Sequence, residues 1–138
     1  MSVVEELIRK EEDGSISFGN YKLEEKTKVD DFEYQGDIYK VKTFKEITKL
    51  ERNGSLVYES VPGTAVERFH VSGNEISFDV LGYEDTQVTL ELEADNQYKV
   101  FINDINVGKI KTNLGGKIVL NIEFNGNNKA HVRVIEVK

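Results

Sequence analysis

The sequence predicts an all-β protein: an antiparallel β-sandwich with a less regular N-terminal β-hairpin region packed on it. Two observations predict this class. Apolar and polar residues alternate with period two through most of the chain, most plainly after residue 70. Short signals rich in Gly and Asn, residues that tolerate the positive φ of tight hairpins, interrupt the alternation at short spacing. One dry and one wet face per strand is what two packed sheets require.

Taken in order, the first 61 residues are the least regular. Glu12-Asp13-Gly14 is expected to turn the chain into Ser15-Ile16-Ser17-Phe18, and Gly19-Asn20 to turn it again before Tyr21-Lys22-Leu23. Val3, Val4, Leu7 and Ile8 suit either one turn of helix or an edge strand. Tyr34-Gln35-Gly36-Asp37 leads into a strand at Ile38-Tyr39-Lys40-Val41-Lys42. Residues 43–52 carry two readings. Thr43 and Glu46 have the spacing of a capping box, with Phe44, Ile47 and Leu50 as a helical stripe. Alternatively, residues 46–52 form the first arm of a hairpin through Asn53-Gly54 into Leu56-Val57-Tyr58. The hairpin is the favoured reading.

After residue 70, Ile76, Phe78 and Val80 alternate with Glu75, Ser77 and Asp79, and Val88, Leu90 and Leu92 with Thr89, Glu91 and Glu93. Tyr98, Val100 and Ile102 follow, then Ile118, Leu120, Ile122 and Phe124, and finally Val132 and Val134. The turns between them are expected at Ser72-Gly73-Asn74, Asp95-Asn96, Asn103-Asp104, Gly115-Gly116 and Asn125-Gly126-Asn127-Asn128. Pro62, the single proline, pairs with Gly63 to suit the centre of a type II turn. It divides an N-terminal β-hairpin region, 1–62, from a β-sandwich region, 63–138. The connection is too short for a flexible linker, so both are expected to form one compact unit.

Composition narrows the function classes. A chain of 138 residues can bury a core without staples, and it has no cysteine, which removes thiolate metal sites and a cysteine nucleophile. Its 25 acidic and 18 basic residues give a net charge of −7, the wrong sign for binding nucleic acid or an anionic membrane. No apolar run is long enough to span a bilayer, and the start lacks a basic stretch followed by an apolar one; the expected location is cytoplasmic.

Residue patterns that carry chemistry are sparse in this chain. His70 and His131 lack zinc-ligand spacing, and lone strand histidines are ordinarily surface residues. Glu11-Glu12-Asp13, Asp30-Asp31 and Glu84-Asp85 are acidic clusters in turn regions, where solvation is the usual fate and an EF-hand spacing is missing. There is no Gly-x-Ser-x-Gly elbow and no phosphate loop. No catalytic, cofactor-binding or metal-binding residue is therefore nominated, and no enzyme is expected. With no tryptophan for stacking, Tyr34 and Tyr83, each beside a turn, are the candidates for ligand contact, while Tyr98 falls in phase with the core.

Two resemblances enter here. Tyr98-Lys-Val-Phe-Ile-Asn-Asp-Ile-Asn-Val-Gly108 with Lys111-Thr-Asn-Leu-Gly-Gly-Lys-Ile118, about a quarter of the chain, resembles the last strands of small sandwich domains appended to polysaccharide lyases. Phe18-Gly-Asn-Tyr-Lys-Leu, Tyr39-Lys-Val-Lys-Thr-Phe and Leu56-Val-Tyr-Glu-Ser-Val-Pro-Gly-Thr-Ala65 resemble short clostridial proteins labelled endosialidase. The first implies an accessory, glycan-associated role. The second carries no activity across: the arginines are only Arg9, Arg52, Arg68 and Arg133, and tryptophan and Asp boxes are missing. The expectation is a non-enzymatic protein acting through protein contacts, self-association included, because uncovered sheet edges invite pairing unless lysines such as Lys40, Lys42, Lys109 and Lys111 block them. A carbohydrate-binding or accessory module is the alternative, with a glycan as partner.

Overall fold

The computed structural model describes residues 3–124, 126 and 128–137. Thirteen strands run through them and no helix. Four precede the hairpin predicted at Asn53-Gly54: β1 (Ile8–Lys10), β2 (Ile16–Phe18), β3 (Thr27–Tyr34) and β4 (Asp37–Phe44). That hairpin joins β5 (Ile47–Arg52) to β6 (Ser55–Val61), the favoured of the two readings of residues 43–52. Then come β7 (Ala65–Ser72), β8 (Glu75–Leu81), β9 (Thr86–Glu91), β10 (Gln97–Ile102), β11 (Ile105–Lys111), β12 (Lys117–Ile122) and β13 (Lys129–Val137). Among the described residues no helix is long and apolar enough to cross a membrane.

All pairings are antiparallel, in one sheet ordered β1-β2-β7-β8-β13-β10-β11 and a second ordered β12-β9-β6-β5-β4-β3. Strands from both sides of Pro62 share each sheet: β2 pairs with β7, and β6 with β9. The inward positions form one core, in which Phe18 of the first sheet meets Tyr58 of the second edge-on at 5.3 Å and Tyr58 meets Phe78 at 5.7 Å. Ile76, Phe78 and Val80, and Ile118, Leu120 and Ile122, point inward in the phase the alternation predicts.

Four details depart from the sequence expectation. The Val61–Pro62 peptide is cis and Gly63 does not take positive φ, so the turn there is not type II. Gly63 is instead required by proximity, since a Cβ on it would run into the Phe44 carbonyl oxygen. The turn expected at Gly19-Asn20 falls on Tyr21-Lys22. β3 is an element the alternation does not show, because Asp31, at φ 58°, is an extra residue between the Val29–Val41 and Phe32–Tyr39 pairs and resets the phase. Lys40 and Lys42 do not guard an edge, for β4 is interior to its sheet; Lys109 and Lys111 do stand on one, β11. Of the turn predicted at 125–128, Asn125 and Asn127 lie outside the described residues.

Asparagine in the hairpin turns has a second use. Asn53 (φ 50°) and Gly54 (φ 85°) make the primed turn that strand twist favours. The Asn53 N–H donates to the Ile38 carbonyl at 2.8 Å, while its side-chain oxygen accepts from the Ile38 N–H at 2.9 Å. Asn103 does the same to His131, at 2.8 and 2.9 Å. Each side-chain amide oxygen thus stands in for a backbone carbonyl and ties a hairpin tip to the next strand.

Candidate functional site

Two features of the surface have the geometry to receive another molecule. The first is a cleft of about 610 Å³ between the two sheets at the end where the β3–β4, β5–β6 and β7–β8 turns gather. Ile16, Phe69, Leu90 and Val134 form an apolar floor, and Asp37, Arg52, His70, Glu91 and Glu93 stand around it. Tyr34, a predicted ligand-contact residue, lies in this cleft, half-buried. Its ring meets Tyr39 edge-on at 5.7 Å and its hydroxyl donates to the Gly14 carbonyl. Tyr39 is buried; burial is the main cause that pushes both phenols above their ordinary value. Tyr98, predicted as core, is buried, and its hydroxyl accepts the Glu93 N–H at 3.1 Å.

Tyr83, the other predicted contact residue, lies at the opposite end. It is 61% exposed, with its ring edge-on to buried Tyr21 at 4.9 Å. β8 separates the two ends, a span of ~20 Å at ~3.3 Å per residue. The structure therefore does not bring Tyr34 and Tyr83 together.

The other sequence candidates serve local structure. The Asp79 carboxylate meets His131 at 2.7 Å, and among the described residues neither histidine is hydrogen-bonded to a hydroxyl. Glu11 accepts from the Ser17 hydroxyl at 2.7 Å and from Arg9, which together hold its carboxyl below the ordinary range, the serine bond contributing most. Asp13 caps Ser15, and Asp85 accepts the Phe124 N–H at 3.0 Å. Among the described residues no cluster of His, Asp and Glu is arranged to hold a metal ion.

The second feature is a sheet edge. Among the described residues the sandwich has four edge strands, and three are blunted in ways known to prevent pairing. β1 is only three residues long. β3 carries Lys28, Asp30, Asp31 and Glu33 and the Asp31 bulge. β11 carries Lys109 and Lys111, and Val107 is an extra residue between the Val100–Gly108 and Phe101–Asn106 pairs. β12 has none of these. Its six residues pair with β9 in unbroken register from Lys117–Glu91 to Ile122–Thr86, and it has one charge, at its first residue.

Which backbone groups face the free side follows from parity. The Gly116 carbonyl accepts the Leu92 N–H at 2.6 Å and the Phe124 N–H donates to Asp85, so even-numbered residues point toward β9. Val119 and Asn121 therefore direct N–H and C=O outward, with no strand of the described residues beyond them. The Lys117 N–H is capped by the Asn113 side chain at 3.1 Å. Val119 is 49% exposed and neighbouring Leu114 is 92% exposed.

The alternation exposed Val119 as an outward residue; that its strand is an edge depends on a pairing order no local signal carries. Comparison of the chain with protein-family models, curated proteins and solved structures gave no match. The class defined by this geometry is an all-β antiparallel sandwich.

Proposed function

We propose that this protein is a non-enzymatic binding module that joins another protein chain by strand addition along the free edge of β12. The observation that carries the reading is the contrast between β12 and the other three edges. Unsatisfied edge groups on a flat, regular strand recruit a complementary backbone, and the main-chain bonds supply affinity. The cleft supports a binding reading less well. Of the tyrosines that line it, Tyr34 has its hydroxyl committed to the Gly14 carbonyl and Tyr98 its own to the Glu93 N–H, and Tyr34 and Tyr39 meet edge-on, so they present no flat stacking platform.

Val119→Pro tests the reading directly. Proline removes an outward N–H while leaving the β9 side of the ladder intact, a placement edge strands tolerate. The full chain at high concentration serves as its own source of strands. In the wild type, hydrogen exchange at the Val119 and Asn121 amides should slow as concentration rises, and the native mass should increase. Val119→Pro, with an unchanged circular dichroism spectrum, should remain a monomer. Equal association by the variant would overturn the reading.

A further inference from the structure

The strand that fits this edge can be specified. An antiparallel partner must keep inward residues opposite inward residues, which restricts self-pairing of β12 to registers whose paired residue numbers sum to an even value. The register centred on Leu120 satisfies this. It sets Leu120 against Leu120, Ile118 against Ile122, Val119 against Asn121 and Lys117 against Glu123. The two charges in the segment thereby fall opposite each other, once at each end; both side chains are exposed. The residues with outward backbone groups coincide with the hydrogen-bonded positions, so each Val119–Asn121 pair exchanges both of its N–H···O=C bonds. The ladder also ends cleanly. Asn113 already holds the Lys117 N–H, and Phe124 turns its N–H to Asp85 and its ring into the core.

We propose that the strand added to β12 is the β12 of a second copy of this chain, antiparallel and centred on Leu120, with Lys117 of each copy facing Glu123 of the other. This rests on the strand-addition reading above and goes further by naming the occupant and its register. The contact is self-complementary and therefore closes as a two-fold dimer, whereas β12 pairing with a different edge of the next copy would propagate as a fibre. The six-stranded sheet becomes continuous across both copies.

Charge reversal tests the register. K117E places two Glu–Glu pairs at the ends of the ladder, and E123K two Lys–Lys pairs; like charges directly opposite are unfavourable where opposite charges were favourable. Each single variant should dimerise roughly tenfold to a hundredfold more weakly in sedimentation equilibrium. The equimolar mixture of the two should recover wild-type association as a heterodimer, and so should the double variant. Both substitutions are at exposed positions, and each variant should keep the wild-type circular dichroism spectrum. A dimer indifferent to both reversals, yet lost in Val119→Pro, overturns the register and leaves strand addition standing. So does a fibre in place of a dimer. A dimer that survives Val119→Pro overturns both readings. A wild type that stays monomeric at submillimolar concentration removes the second copy as occupant.

Discussion

Thr48 has one hydroxyl hydrogen, and the Thr64 carbonyl takes it at 2.7 Å. The Thr64 N–H and the Thr43 hydroxyl must then both donate to Thr48, and Thr43 in turn accepts the Asn20 N–H. The Thr64 hydroxyl continues the chain to Ser60 and to Tyr58. Every one of these side chains is buried, and among the described residues no buried side-chain N or O lacks a partner. The network ties β4, β5 and β6 to the residues around Thr64 in the core. Tyr58 gives it a pH signature. Burial pushes its phenol up to about 12, against an unfolded value of ~10. The folded state holds that proton more tightly. The stabilisation is complete below pH ~10 and is lost as pH rises through ~12, amounting to roughly 2–3 kcal/mol. Tyr58→Phe should begin about 1 kcal/mol less stable and show a flatter decline over that interval in urea titrations at stepped pH. An equally steep decline would mean other groups govern the alkaline limit.

At the scale of the element, the asparagine tips make a prediction independent of function. Asn53→Gly keeps a residue at ease with positive φ but removes the side-chain oxygen on Ile38 and the donor to Asp37, 2.9 Å away. Urea unfolding should register a loss of about 1–2 kcal/mol; a neutral result would show that water replaces both bonds without cost. How legible an element was in the sequence depended on whether its residues kept phase. β8, β9 and β12 keep the alternation through 76–80, 86–90 and 118–122 and turn their even-numbered residues to the core, so the sequence displays them. β3 has no buried residue and is broken at Asp31, leaving hydrophobic periodicity nothing to register. β7 has the same kind of break at Arg68, φ 52°, whose N–H is taken by Ser17 at 3.1 Å. The candidate site was less legible still. Tyr34 does line the cleft, but Tyr39 and Arg52 complete it from two other strands, and the bare edge of β12 follows from strand order, a property of contacts distant in sequence.

Across the whole molecule, the two sheets interlock the chain. β1 and β2 sit in one sheet with β7 and β8, while β3 to β6 sit in the other with β9 and β12. Removing either side of Pro62 leaves both sheets incomplete, so unfolding should be one event. Far-ultraviolet circular dichroism and tyrosine fluorescence, followed through urea at low protein concentration, should give coincident midpoints; two separated transitions would show that residues 1–62 and 63–138 melt apart. The same interlock bears on synthesis. β13, the last of these strands to leave a ribosome, sits between β8 and β10 in the interior of its sheet. Until residues 129–137 emerge, that sheet exists as two fragments, each presenting a naked inner edge. At ~5–20 residues per second the nascent chain holds this state for several seconds. One of those edges, β10 with Tyr98, Val100, Phe101 and Ile102, is richer in β-forming residues than any edge of the finished protein, and the other, β8, offers Ile76, Phe78 and Val80. The growing chain, more than the mature one, is where this architecture needs a chaperone's shelter.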